Sequence, residues 1–321
     1  MCDVGTKSND TNFAVNLVGT HPLHMPLELI TTIFDQAARY FPKTKMGYAF
    51  TEPLVYTHLI ESLEYAKHKN LFTSVTTNAL NLSKFASDLC KANLNEIMIS
   101  LDGPEEIHNF IRGHKSSFQR AISGIEALME HKNRPDISVF CVITEWNTAH
   151  LKTFVDFFRK FPLKQLGFMH TVYTTEPIVV HHNKQWGNLY PATVSNIAET
   201  DISKTNLEEL WGQIQSIKND TYPFPVTFSP EVKSKEELYK FYKQPELLIG
   251  KRCNDAFSTI MIKSDGSVIP AHGRCYNLTA GNLYKNSLPE IWNSEILGKF
   301  RKDLMSVGGL MPACSRCCSA F

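Results

Sequence analysis

Apolar residues along the 321-residue chain switch repeatedly between two spacings. Leu27, Ile30, Phe34, Ala37 and Ala38 share one helical face, with Pro26 in the place of a first helical residue. KMGYAF (45 to 50) then reads as a short strand, closed by the polar Thr51, Glu52 and Pro53. Val55, Leu59, Leu63 and Ala66 return to helical spacing, and FTSVTT (72 to 77) is the next strand. Ser83 is placed to cap a short helix through Cys90, and EIMISLD (96 to 102) predicts a third strand. Phe118, Ala121, Ile122, Ile125, Leu128 and Met129 mark the clearest amphipathic helix. ISVFCVIT (137 to 144) predicts a fourth strand and KQLGFMH (164 to 170) a fifth. Between them Asn147 is expected to cap a helix carrying Leu151, Phe154, Val155 and Phe158.

Five strand-then-helix units imply parallel strands with crossover helices, in a doubly wound sheet or in a barrel, whole or partial. Either architecture gathers active residues at the C-terminal ends of its strands. Those ends are Thr51 to Pro53, Thr77 and Asn78, Ser100 to Gly103, Thr144 to Asn147, and His170 onward, and all are polar. From about Tyr173 the alternation fails among prolines 177, 191, 223, 225, 230 and 245, where only Leu207, Leu210, Ile214 and Ile217 suggest a helix. Beyond Lys251, TIMIKSDGSVIPA predicts a hairpin about Asp265 and Gly266, followed by one helix with Ile291, Trp292, Ile296, Phe300 and Leu304. The expected organisation is an α/β core over 1–172, a connecting or substrate-facing stretch over 173–250, and a small cysteine-rich hairpin-plus-helix domain over 251–321.

Composition narrows the function classes. Hydrophobic residues at 43% and charged residues at 20% describe a globular protein, and the net charge of +1 argues against a nucleic-acid surface or a polybasic membrane contact. No run approaches the roughly 18 apolar residues of a membrane helix, and the first residues lack the order of a signal peptide. A cytoplasmic protein is expected. Cys90 lies among Phe85, Ala86 and Leu89, and Cys141 lies in a β-branched run, so both read as core. Cys253, Cys275, Cys314, Cys317 and Cys318 instead crowd the C-terminus, which in a reducing compartment points to metal. Four thiolates from the two flanks of a hairpin and a later CxxC suit tetrahedral zinc or a four-iron cluster. Spacing does not choose between these, nor between Cys317 and Cys318, and His272 is a further candidate at a zinc site.

The order Cys253, DGSVIP, Cys275, GNLY, LPEIWNS, FRKDL and CSRCC resembles the SPASM domain, an iron-sulfur appendage of many radical S-adenosylmethionine enzymes. The position after the hairpin proline, often a cysteine there, is Ala271. The resemblance therefore implies one auxiliary 4Fe-4S cluster on Cys253, Cys275, Cys314 and Cys317. Upstream, FTEPLVY (50 to 56) is similar to the family's GGEP-type segment, TTNALNL (76 to 82) to its next strand end, and SLDGPEEIHNFIRG (100 to 113) is the closest match. The radical SAM resemblance implies a partial parallel (β/α) barrel. It places Glu52 at the methionine amino group, Asn78 in the site, Ser100 and Asp102 near the ribose, and Arg112 near the carboxylate.

The family's CxxxCxxC loop holds a further 4Fe-4S cluster, and only its last position exists here, as Cys2. The expectation is a chain that starts inside this motif, lacks the first strand of the barrel and is by itself inactive in cleaving S-adenosylmethionine. The activity implied by the resemblance is reductive cleavage of S-adenosylmethionine to a 5′-deoxyadenosyl radical, with hydrogen abstraction from a peptide, a protein side chain or a sugar. A flavodoxin or ferredoxin is the implied reductant. The alternatives are a non-catalytic scaffold that binds a cluster or zinc, and a hydrolase or transferase with a zinc ribbon. His181 and His182, with Asn183 and Trp186, read as a loop pair, His21 and His24 as a polar turn, and Lys233 to Lys243 as a solvated helix face.

Overall fold

The computed structural model describes residues 9–321. In chain order the elements begin with α1 (Asn12–Leu17), α2 (Leu27–Tyr40), β1 (Lys45–Tyr48), α3 (Leu59–His68), β2 (Phe72–Thr77) and α4 (Leu82–Lys91). They continue with β3 (Glu96–Ser100), α5 (Glu105–Arg112), α6 (Ser117–Met129), β4 (Asp136–Ile143), α7 (Leu151–Phe157), β5 (Gln165–His170) and α8 (Glu176–Trp186). The remainder is α9 (Leu207–Lys218), β6 (Val226–Ser229), α10 (Lys235–Lys243), β7 (Ile260–Ile262), β8 (Ser267–Pro270), β9 (Gly281–Asn282), α11 (Leu288–Trp292) and α12 (Glu295–Ser306). Two compact units result: residues 30–170 with 205–231, and residues 1–29 with 171–204 and 232–321.

The first unit is a six-stranded parallel sheet in the order β1 to β6, aligned through Tyr48 opposite Val75, Thr77 opposite Ile99, Ser100 opposite Phe140 and Ile143 opposite His170. A doubly wound sheet reverses its strand order at a switch point, and this one does not. Sequential order with right-handed crossovers keeps the helices on one face, which is barrel-type winding. Among the described residues β1 pairs only with β2. The buried strand positions are rich in β-branched and aromatic residues, including Val75, Ile97, Ile99, Val139 and Phe168, and Cys90 and Cys141 are buried as well.

Four sequence expectations differ from the structure. A sixth strand, β6, comes from the proline-rich stretch, where Leu166 pairs with Val226 and Met169 with Ser229. Ser83 lies inside α4, whose N-cap is Asn81, and Asn147 caps no helix, since α7 begins after His150. The single C-terminal helix is two, because Ser287 and Glu290 form a capping box for α11 and Ser294 caps α12 afresh.

In the second unit β7, β8 and β9 form an antiparallel sheet. Gly266 (φ +78°) provides the left-handed residue of its turn, and Asp265 Oδ1 accepts the Ser267 N–H at 3.0 Å. No helix among the described residues is long and apolar enough to cross a membrane.

In α6, Gly124 passes so close to α4 that an added Cβ would sit 2.6 Å from Leu82 Cβ. Helix propensity favours Ala over Gly by about 1 kcal/mol, but relieving such overpacking costs roughly 1–3 kcal/mol. Gly124→Ala is therefore expected to lower the urea midpoint, and a raised midpoint would contradict this packing.

Candidate functional site

In the sheet unit the polar groups converge at the C-terminal edges of β1, β2, β3 and β4. After β1 the backbone passes through a left-handed Phe50 (φ +73°) into Glu52, the N-cap of a single 3₁₀ turn over Pro53–Val55. A proline at the first helical position lacks the N–H that a helix start would leave unpaired, so the Glu-Pro order suits this turn. Glu52 Oε1 accepts the Leu54 N–H at 3.0 Å and the Thr77 hydroxyl at 2.7 Å, and Oε2 accepts the Asn78 N–H at 2.8 Å. One carboxylate thus clamps the end of β1 to the end of β2. Asn78 Oδ1 accepts the Leu80 N–H at 2.9 Å, with Ala79 left-handed between them (φ +61°).

The end of β3 is built on Asp102, which is buried and paired to Arg112 Nε at the end of α5. Burial raises the Asp102 carboxyl above its ordinary range, and Arg112 opposes that shift. The terminal nitrogens of Arg112 make no hydrogen bond among the described residues, and its side chain is 31% exposed. His108 Nδ1 accepts the Asp102 N–H at 3.0 Å, so its ring proton sits on Nε2. Burial, aided by the Arg112 charge, lowers the His108 pKa to about 3. Asn147 completes the edge: its Nδ2 donates to Asp102 O at 2.9 Å and to Val142 O at 2.7 Å, and its Oδ1 accepts the Thr144 N–H at 2.8 Å. Ser100 ends β3 itself, half-buried.

The second unit holds a cavity lined by Cys253, Cys275, Cys314 and Cys317, with Tyr276, His272 and apolar Phe300 and Leu310 around them. Cys318 is exposed and does not line it. Burial pushes the Cys253 thiol up to about 11 and raises Cys275 and Cys314 too, and Cys314 adds to the shifts of Cys253 and Cys275. Buried thiols whose ionisation is mutually costly make poor nucleophiles and good ligands for a positive metal centre. A second grouping lies beside them: His272 Nε2 is 3.7 Å from Cys317 Sγ and 3.8 Å from Cys318 Sγ. Those three ligand atoms are close enough to share a single ion. The four cavity cysteines do not form such a close group among the described residues.

Three buried side chains hold this arrangement. Arg316, inside the CxxC, donates all five N–H groups to carbonyls of Lys240, Phe241, Gln244, Leu247 and Ser315 at 2.6–3.0 Å. It thereby satisfies the C-terminal carbonyls of α10 and fixes the cysteine turn. Asn16 of α1 donates to Gly273 O and Cys275 O at 2.9 and 3.0 Å. His182 is no loop residue: it lies buried in α8, stacked on Tyr276 at 5.2 Å, with Nε2 against Tyr190 O at 2.7 Å.

Of the residues singled out in the sequence, Glu52, Asn78, Ser100, Asp102 and Arg112 lie at three adjacent strand ends of one unit. Cys253, Cys275, Cys314 and Cys317 line one cavity of the other. Cys2 lies outside the described residues. His108, Asn16, Arg316 and Tyr276 were not singled out, and Asn147 stood out only as a helix cap and as part of a polar strand end. Of the first four only His108 carried a signal, at six residues from Asp102 on the face of α5 that includes Arg112.

Comparison with known proteins gives two family matches: the Radical SAM superfamily over residues 1–158, and an iron-sulfur cluster-binding domain, SPASM, over residues 253–318. A serine-type anaerobic sulfatase-maturating enzyme of Bacteroides thetaiotaomicron is 23% identical over 94% of this chain and 74% of its own length. Among solved structures, anSMEcpe with bound AdoMet aligns at TM-score 0.56 and 18% identity, covering 86% of this chain and 74% of that one. Streptococcus suis SuiB bound to precursor peptide SuiA aligns at TM-score 0.59 and 14% identity, over 96% and 67%. Likenesses at this identity establish a shared fold.

His108 gives the strand-end cluster a pH signature. Its pKa falls from an unfolded value of about 6.5 to about 3 in the fold. Protonation therefore favours unfolding, and stability is lost as pH falls below about 6.5. His170, buried and lowered to about 3 as well, adds to the same window. Each is expected to cost about 2 kcal/mol between pH 7 and pH 5. His108→Asn keeps an acceptor for Asp102 N–H and should remove about half of that loss in urea titrations. An undiminished loss would contradict the neutral His108.

Proposed function

Because the chain belongs to the radical SAM superfamily and ends in a SPASM iron-sulfur domain, we propose that it is a maturase that acts on a peptide or protein side chain. The observation that carries this reading is the interlocked edge of β1, β2 and β3, where Glu52, Asn78, Asp102 and Arg112 converge. A zwitterionic sulfonium ligand needs an acid, a guanidinium fork and polar backbone around it. Glu52 spends its carboxylate on Leu54, Thr77 and Asn78, so its role is to hold the loop backbone at the methionine amino group. Asp102 orients Arg112, whose free terminal nitrogens take the carboxylate, while Ser100 serves the ribose.

The chemistry that S-adenosylmethionine and its iron-sulfur cluster supply when bound is reductive cleavage to a 5′-deoxyadenosyl radical and hydrogen abstraction from the substrate. The residues on these strand ends bind and orient. Cys253, Cys275, Cys314 and Cys317 would hold one auxiliary 4Fe-4S cluster, and four protein ligands leave no iron open, which supports electron transfer rather than substrate ligation. The peptide class is supported by two similar proteins, a sulfatase-maturating enzyme and a structure with a bound precursor peptide. A flavodoxin or ferredoxin would serve as reductant. The second reading is zinc on His272, Cys317 and Cys318, favoured by their 3.7 and 3.8 Å spacings.

Titration calorimetry of the anaerobically prepared chain is expected to show saturable binding of S-adenosylmethionine. Arg112→Gln should weaken it tenfold or more, at least about 1.4 kcal/mol, while Lys263→Gln on the hairpin turn leaves it unchanged. Wild-type protein without saturable binding, or an Arg112→Gln affinity equal to wild type, would contradict the assignment.

A further inference from the structure

The segment after β8 brings three more polar groups to the thiol cavity besides its own Cys275. The Tyr276 hydroxyl lies 3.4 Å from Cys314 Sγ, and the residue is almost fully buried. A phenol hydroxyl carries its proton at neutral pH. A metal-bound thiolate only accepts, and the hydroxyl is then the donor. His272 Nδ1 accepts the Arg274 N–H at 3.1 Å, which puts the ring proton on Nε2. That nitrogen is 2.9 Å from Ser319 Oγ and 3.7 Å from Cys317 Sγ. The Ser319 hydroxyl spends its own proton on Asp255 Oδ2 at 2.5 Å, so the imidazole N–H is donated to Ser319 Oγ and does not serve a ligand sulfur. Arg274 lines the same cavity, lies 4.1 Å over the Phe13 ring and makes no ion pair among the described residues.

Hydrogen bonds to ligand sulfurs and nearby positive charge are the levers by which a protein sets a cluster's reduction potential. Both act in one direction. The reduced cluster carries one more negative charge, so donors and cations stabilise it more than the oxidised form.

We propose that Tyr276 and Arg274 set the reduction potential of the auxiliary cluster, raising it through the Tyr276 O–H on Cys314 and the unpaired Arg274 charge. This rests on the reading of Cys253, Cys275, Cys314 and Cys317 as cluster ligands. The two are positioning residues: one acts on a ligand sulfur and the other through its charge, and neither touches a reacting atom.

The test is a potentiometric titration of the full chain, reconstituted anaerobically with iron and sulfide and followed by paramagnetic resonance. The signal abolished by Cys275→Ala identifies the auxiliary cluster. Tyr276→Phe, which removes one hydroxyl, and Arg274→Gln, which removes one charge, should each shift its reduction equilibrium about tenfold toward the oxidised form, a fall of about 59 mV for one electron. Arg274→Lys should restore the wild-type value. Unmoved potentials in Tyr276→Phe and Arg274→Gln at wild-type iron content overturn the proposal. Should Tyr276→Phe fail to load iron, the Arg274→Gln and Arg274→Lys pair decides. A wild-type chain that takes up no iron, or a signal that survives Cys275→Ala, shows instead that the cluster reading itself is wrong.

Discussion

A parallel sheet releases all its C-terminal strand ends along one edge, and the backbone groups freed there must find partners. In this chain the partners are a few buried side chains that each serve two strands. Glu52 joins the ends of β1 and β2, and Asn147 joins the Asp102 carbonyl after β3 to the end of β4. Asp102 is itself gripped at its N–H by His108 and at its carboxylate by Arg112. Each of these polar groups is worth more when satisfied, because leaving one unpaired in the interior costs roughly 1–3 kcal/mol. The same interlock makes the edge a rigid platform of oriented N–H groups and one open guanidinium fork, which is what a small zwitterion requires.

The cysteine unit solves a different problem. Four thiols meet in one cavity although burial and mutual repulsion disfavour their charged forms. Their positions are held from outside the cavity, by Arg316 on the carbonyls around the end of α10 and by Asn16 on the Cys275 loop. Arg316 is a buried cation with no carboxylate in hydrogen-bond contact among the described residues, and its pKa is lowered by that burial. Five carbonyl acceptors share its charge instead. Such outer supports orient ligands before a metal arrives, which is how a fold prepares a site whose own energy comes from the metal.

Five of the six parallel strands were legible because β-branched runs alternate with amphipathic helices, and FTSVTT forms β2 from its first residue to its last. The sixth was not: Val226–Ser229 is four residues long between Pro225 and Pro230, and its pairing with β5 is a tertiary fact. Asn147 shows the limit of local reading, since an asparagine before a helical run can cap it or turn inward, and here it turns inward. Asp102 and Arg112 stood out separately, but their contact depends on where α5 ends. Spacing left Cys317 and Cys318 open, the family resemblance implied Cys317, and it is Cys317 that lines the cavity. Arg316 carried no sequence signal, because a lone arginine in a CxxC gives no hint of five carbonyl partners. The split of α11 from α12 was readable in hindsight from Ser287, Glu290 and Ser294.

The account stands on four cysteines holding a cluster and not a single ion. Anaerobic reconstitution followed by parallel assay of iron, zinc and acid-labile sulfide measures this directly. About four sulfides should accompany four irons at the C-terminal site, and both should be lost together in Cys314→Ala. One zinc per chain with no labile sulfide, unaffected by Cys253→Ala but lost in His272→Ala, would contradict the account.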